Sequence, residues 1–140
     1  MIEIKGLNKR FGGLVALDNL SLSIGPGELF GFIGPNGAGK STTMKVLAGL
    51  LSPDSGSAHV CGIDAVREGE RVKRLLGYMP DFLGVYDDLT VHEYLQFFAA
   101  AFGIERAKRR STIDSVLQLT DLTDKQHAMV DSLSRGMQQR

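Results

Sequence analysis

Gly34-Pro35-Asn36-Gly37-Ala38-Gly39-Lys40-Ser41 decides how the chain is read, because it satisfies G-x-x-x-x-G-K-[ST] at every fixed position. Each residue type has a chemical reason. Glycines permit backbone turns that side chains would block, so successive amide N–H groups can converge on one anion. Pro35, Asn36, Gly37 and Ala38 fill the four variable positions of that cradle. Lys40 can reach the β- and γ-phosphates of a nucleotide, and the Ser41 hydroxyl can ligate magnesium. A helix starting near Lys40 would add its positive end to the same anion.

The flanking sequence supplies the context such a loop needs. Residues 1–33 read as β-structure: Ile2 and Ile4 alternate with Glu3 and Lys5, and Leu20, Leu22 and Ile24 with Ser21 and Ser23. Leu29-Phe30-Gly31-Phe32-Ile33 is apolar on both faces and predicts a central strand buried on both sides. After the loop, Met44, Leu47 and Leu51 predict one apolar helix stripe. Ala58–Gly62 and Leu75–Met79 are short strand candidates, with a surface helix between them. Thr90-Val91-His92-Glu93 is a capping box. It opens a helix with Val91, Leu95, Phe98 and Phe102 on one side, ended by Gly103. A second helix is expected over 106–119, carried by Ile113, Val116 and Leu117. The organisation predicted is an α/β nucleotide-binding core over 1–84 and a helical subdomain over 85–140, parts of one larger domain.

Composition narrows the function. With 16 basic and 16 acidic residues the formal net charge is zero, so no electrostatic footprint for nucleic acid is expected. The run Arg106-Ala107-Lys108-Arg109-Arg110 is read as a solvated helix face. Cys61 is the only cysteine, and His59, His92 and His127 are scattered, which gives no metal-site spacing. No apolar stretch approaches the ~20 residues that cross a bilayer. An Asn-Lys-x-Asp guanine motif is absent, which disfavours GTP.

Taken together, the motifs resemble the ATP-binding subunits of ABC transporters. Gly34 to Thr42 reads G-P-N-G-A-G-K-S-T, the wording typical of that family. Phe11 resembles the aromatic that stacks on adenine. Leu89-Thr90-Val91-His92-Glu93 resembles the opening of the family's helical subdomain, and Leu133 to Arg140 is similar to the signature L-S-G-G-Q-x-Q-R. The fold implied is a P-loop NTPase of ABC-ATPase type: a β-rich N-terminal subdomain, a partial parallel sheet and a helical subdomain. The ligands implied are ATP and Mg2+. Gly34, Asn36, Gly37, Ala38, Gly39, Lys40, Ser41 and Thr42 would hold the phosphates. Lys40 would be catalytic, and so would Ser134, which with Gly136 would act across a dimer.

The same resemblance implies a homodimer or a related second ATP-binding subunit. It also implies a membrane-spanning permease and a peripheral place at the cytoplasmic face of the membrane. Leu14–Asp18 and Tyr86–Thr90 lean toward export systems. Three departures stand out: Arg135 and Met137 within the signature, and Asp81 where the family usually has glutamine. Asp81 offers magnesium a charged oxygen ligand. The magnesium-holding Asp, the water-polarising Glu and the γ-phosphate His that the family places after the signature have no counterpart in these 140 residues. Val60–Asp64 and Leu117–Asp121 do not substitute. The 140 residues are therefore expected to be a fragment, poor in hydrolysis, marginally stable and aggregation-prone. The alternatives are a soluble, non-transport ABC-type ATPase or a catalytically incomplete nucleotide-binding fragment.

Overall fold

The computed structural model describes residues 1–80, 84–86 and 88–140. They form two compact units, Met1–Tyr78 and Met79–Arg140. In the first, β1 (Ile2–Phe11) and β2 (Leu14–Ile24) form a long hairpin across Gly12-Gly13. Helix α1 spans Lys40–Leu47, followed by β3 (Ser55–Val60), β4 (Ile63–Asp64) and a short helix α2 (Gly69–Lys73). The sheet order is β2-β1-β3-β4, and every ladder among the described residues is antiparallel.

Period-two alternation sets the faces of this sheet. Ile4 pairs with Leu22 on one side and Ala58 on the other. Ile4, Leu7, Leu17, Ala58 and Val60 pack with Val46 and Leu47 of α1 and Val72 of α2 in one core. Full burial of a side chain such as Ile4 or Leu7 contributes about 1.5–3 kcal/mol. On the opposite face Lys5 pairs with Glu3 at 2.7 Å in solvent. Where the β1 register shifts between Ile4 and Lys9, Asn8 supplies the missing bonds. Its Nδ2 donates to Gly6 O and Ser55 Oγ, and its Oδ1 accepts from Asn19 N.

Three sequence expectations are corrected here. Leu29–Ile33 forms no strand, and Leu29 and Ile33 are fully exposed; the partial parallel sheet it would have centred is not formed among the described residues. An all-apolar run becomes a buried strand only where neighbours on both edges take its N–H and C=O groups, and no described strand pairs with it. Leu75–Met79 is also not a strand, with Leu75 and Met79 exposed. In α1 the buried residues are Thr43, Val46 and Leu47, whereas Met44 is exposed. The helix turns the Thr43 side to the sheet, and the Thr43 hydroxyl is satisfied by donating to Gly39 O at 2.9 Å.

The second unit contains α3 (Val91–Ala101), α4 (Arg106–Leu119) and α5 (Arg135–Gln138), with short 3-10 turns at Thr123–Lys125 and Val130–Ser132. Val91, Ile113, Leu117, Leu122 and Val130 form its core. Phe102 and Val116, expected on the apolar faces, are exposed; Ala99, which the stripe left out, is buried. The capping box forms as expected: Thr90 Oγ1 accepts from Glu93 N and donates to the Glu93 carboxylate, which also accepts from Thr90 N at 2.9 Å.

That bonding, led by the Thr90 amide, holds the Glu93 carboxyl below the usual carboxylate range. A depressed folded pKa adds stability above the unfolded value, which disappears as pH falls through the folded one. Thr90→Ala keeps that amide bond but removes the hydroxyl, both as cap and as donor to the carboxylate, so it should cost the helical unit about 1 kcal/mol at neutral pH and less in acid. Chemical denaturation followed by circular dichroism at pH 7 and pH 3 measures both, and an equal loss at the two pH values would contradict the linkage.

Candidate phosphate-binding site

The loop closes on itself ahead of α1. Ala38 N–H donates to Pro35 O at 3.2 Å, which sets the turn at Asn36–Gly37. Among the described residues no acceptor takes the N–H of Gly37 or Gly39, and a Cβ built on Gly37 would meet nothing within 4 Å. The loop thus has an open face lined by amide donors. Lys40 Nζ donates to Gly34 O at 2.6 Å and Pro35 O at 2.7 Å. An ammonium carries three donors, so one remains for another acceptor.

Helix α1 starts without a side-chain cap, and its first turn has no acidic residue. Its leading N–H groups and dipole therefore meet no carboxylate from the helix's own first turn, a condition that suits an anion. The cradle fits a polyphosphate. Ser41 and Thr42 lie in the first turn of the helix, where a hydroxyl can reach a cation held by that polyphosphate.

Gly39 ties the loop to the sheet. Its backbone lies so close to β2 that a Cβ there would stand 2.5 Å from Ala16 O and 2.6 Å from Leu17 Cδ2. Leu17 pairs with Lys9 on β1, and Phe11 lies two residues further on, opposite Leu14. At a strand rise of about 3.4 Å per residue, Phe11 is about 7 Å along β1 from the point where the loop packs. Its ring is half-exposed. Lys9 Nζ lies over it, 5.5 Å from the centroid, a cation–π contact that contributes about 0.5–1 kcal/mol at an exposed site. Lys9 also pairs with Asp54 at 2.9 Å, and Arg10 N donates to the same carboxylate at 2.6 Å. The Lys9 ammonium first, and then the Arg10 amide, hold Asp54 below the usual carboxylate range.

The structure therefore brings Gly34, Asn36, Gly37, Ala38, Gly39, Lys40, Ser41, Thr42 and Phe11 into one unit. Lys9, Asp54 and the Ala16–Leu17 contact were not anticipated; the only local signal was an acidic turn residue, Asp54, in Ser52-Pro53-Asp54-Ser55-Gly56. Asp81 lies outside the described residues. Ser134 and Gly136 belong to the second unit. There Ser134 caps α5, its Oγ accepting from Met137 N at 3.3 Å, and Ser134, Arg135 and Gly136 are exposed.

A sequence-family profile described as "ABC transporter" matches residues 17–140. The chain belongs to the ABC transporter family. It is 38% identical over its whole length to "Nod factor export ATP-binding protein I" of Ralstonia nicotianae, of which it spans 44%. It is 41% identical over 142 aligned residues to "Probable multidrug ABC transporter ATP-binding protein YbhF" of Escherichia coli, of which it spans 25%. The chain therefore covers less than half the length of these relatives. A solved structure described as "Structure of ATP binding subunit of ABC transporter" superposes with a TM-score of 0.80 at 29% identity, over 99% of this chain and 58% of that one.

As an ABC-family chain, its two signature departures can be placed. Met137 is half-buried against the core of Val91, Ile113, Leu117, Leu122 and Val130, so the thioether stands where packing favours an apolar side chain. Gln138 Nε2 donates to Val130 O at 2.9 Å and ties the same short helix to that core. Arg135 points to solvent, and nothing in the structure explains its choice.

Proposed function

We propose that this chain is the ATP-binding part of an ABC transporter subunit, which binds MgATP to drive transport of a substrate through a separate permease. One observation supports the reading most directly: the open amide cradle at Gly34–Ser41 packs through Gly39 on the strand pair whose end carries Phe11. A polyphosphate site and a purine-stacking ring then belong to one rigid element. Gly37, Gly39 and Lys40 would hold the β- and γ-phosphates, and the α1 N-terminus would add its dipole. Ser41, with Asp81 by sequence, would hold magnesium, which supplies charge neutralisation when bound.

In this proposal Ser134 and Gly136 serve a nucleotide on a second subunit, the permease docks at the membrane's cytoplasmic face, and transport runs outward. The names of the export and multidrug relatives are in keeping with that direction. Phosphoryl transfer depends on positioning and charge stabilisation. The proposal is that residues 1–140 bind nucleotide, while turnover needs acidic groups that this stretch does not contain.

Calorimetric titration of the 140-residue chain with MgATP and MgGTP, beside a phosphate-release assay, tests the reading. Saturable binding that favours ATP, with release no faster than the protein-free control, is the expected result. Absence of nucleotide binding would refute the assignment, and magnesium-dependent turnover would refute the division of labour.

A further inference from the structure

The end of β1 that carries Phe11 is held unequally on its two edges. Toward β2 the pairing continues to the last residue, through Lys9↔Leu17, Arg10↔Val15 and Phe11↔Leu14. Toward β3 it stops at Asn8↔Ser55. Past that point the described partner on the β3 side is Asp54, the residue just before β3. Asp54 N donates to Asn8 O at 2.9 Å, extending the ladder by one rung. Its carboxylate then takes the Arg10 amide at 2.6 Å, which a continuing strand would have taken. The second oxygen accepts from Lys9 Nζ at 2.9 Å.

Lys9 is the link to the ring. Its side chain is 15% exposed, so the ammonium is held rather than sampling solvent, and it lies 5.5 Å from the Phe11 centroid. Without a counter-charge at Asp54, that ammonium would be drawn to water and the ring would lose the group that fixes its tilt. With the ammonium on one face, a flat ligand can stack only on the other.

We propose that Asp54 is a positioning residue of this site: through Lys9 and the Arg10 amide it fixes the Phe11 ring so that one face is presented to a purine base. This rests on the ATP-binding reading above and adds to it how the base end of the site is built. Asp54 touches no phosphate-loop residue among its described contacts, so its removal should affect the base and spare the phosphates.

The test compares binding of MgATP with binding of inorganic tripolyphosphate, which has the phosphates and no base. The proteins are the full 140-residue chain and its Phe11→Ala, Lys9→Ala, Lys9→Arg, Asp54→Ala and Asp54→Asn variants. Phe11→Ala, Lys9→Ala and Asp54→Ala should each weaken ATP about 5-fold, the scale of one aromatic contact, and leave tripolyphosphate unchanged. Lys9→Arg should keep near-original ATP affinity. Asp54→Ala combined with Phe11→Ala should be no weaker than Phe11→Ala alone, because both act on one contact.

Asp54→Asn retains an oxygen for the Arg10 amide and loses the charge that holds Lys9. It should reproduce the ATP loss even if Asp54→Ala does not fold. If Phe11→Ala weakens ATP selectively while both Asp54 variants bind it unchanged, or lose ATP and tripolyphosphate equally, positioning is overturned and the nucleotide reading stands. If Phe11→Ala leaves ATP affinity unchanged, the base-stacking reading itself falls, and the proposal with it.

Discussion

Gly39→Ala should eliminate nucleotide binding and lower the stability of the first unit by about 2–5 kcal/mol, the sum of a backbone term and an overpacking term. The backbone term arises because Gly39 has φ +83°, a left-handed conformation that costs an L-residue about 1–2 kcal/mol. The packing term is larger. The new methyl would lie 2.5 Å from Ala16 O, a backbone atom at the irregularity in β2 between Val15 and Leu17, both of which pair with β1. It cannot rotate aside as a side-chain tip could. The loop must lift off the sheet, and the amides of the cradle then cease to converge.

Gly37→Ala is the matched control. Gly37 has a similar φ of +85°, but a methyl there meets nothing within 4 Å. That variant should lose only about 1 kcal/mol, from the backbone term alone. Denaturant midpoints and tripolyphosphate titrations of the two variants separate the terms. Equal behaviour of Gly37→Ala and Gly39→Ala would show that the contact with β2 does not matter.

The second large effect is expected from Lys40→Ala. Its ammonium holds the Gly34 and Pro35 carbonyls and is the cationic side chain inside the loop. Hydrogen bonds to charged groups contribute about 1.5–3 kcal/mol each, so losing one such bond to a phosphate should weaken ATP by roughly 10- to 150-fold. Tripolyphosphate affinity should fall in parallel, because the ammonium acts on the phosphates and not on the base. That parallel loss distinguishes Lys40 from Phe11 and Asp54. A loss confined to ATP, or none at all, would remove the lysine from the phosphate site.

Local chemistry made part of this architecture legible. The loop needs its residues in sequence, so Gly34 to Ser41 could be read directly, and α1 begins at Lys40 as expected. The Thr90–Glu93 capping box is local too, and it formed; α4 spans Arg106–Leu119, the expected 106–119. Expectations failed where an outcome depended on a distant partner. Leu29–Ile33 has the composition of a buried strand, but composition does not name the strand that would pair with it. The α1 stripe was drawn through Met44, whereas the position of the sheet turned Thr43 and Val46 inward. Lys9 and Asp54 are 45 residues apart, a pairing that no local pattern could reveal. Met137 looked like a departure from a motif until the core beside it was visible.

The cap on α5 has a consequence of its own. In the contact with Met137 N, the Ser134 oxygen acts as acceptor, so the hydroxyl hydrogen is not consumed by the helix. One atom group can thus hold the backbone in place and still offer a proton outward to an incoming oxygen. Aspartate would preserve the first role, since it caps well, but an ionised carboxylate has no hydrogen to offer outward.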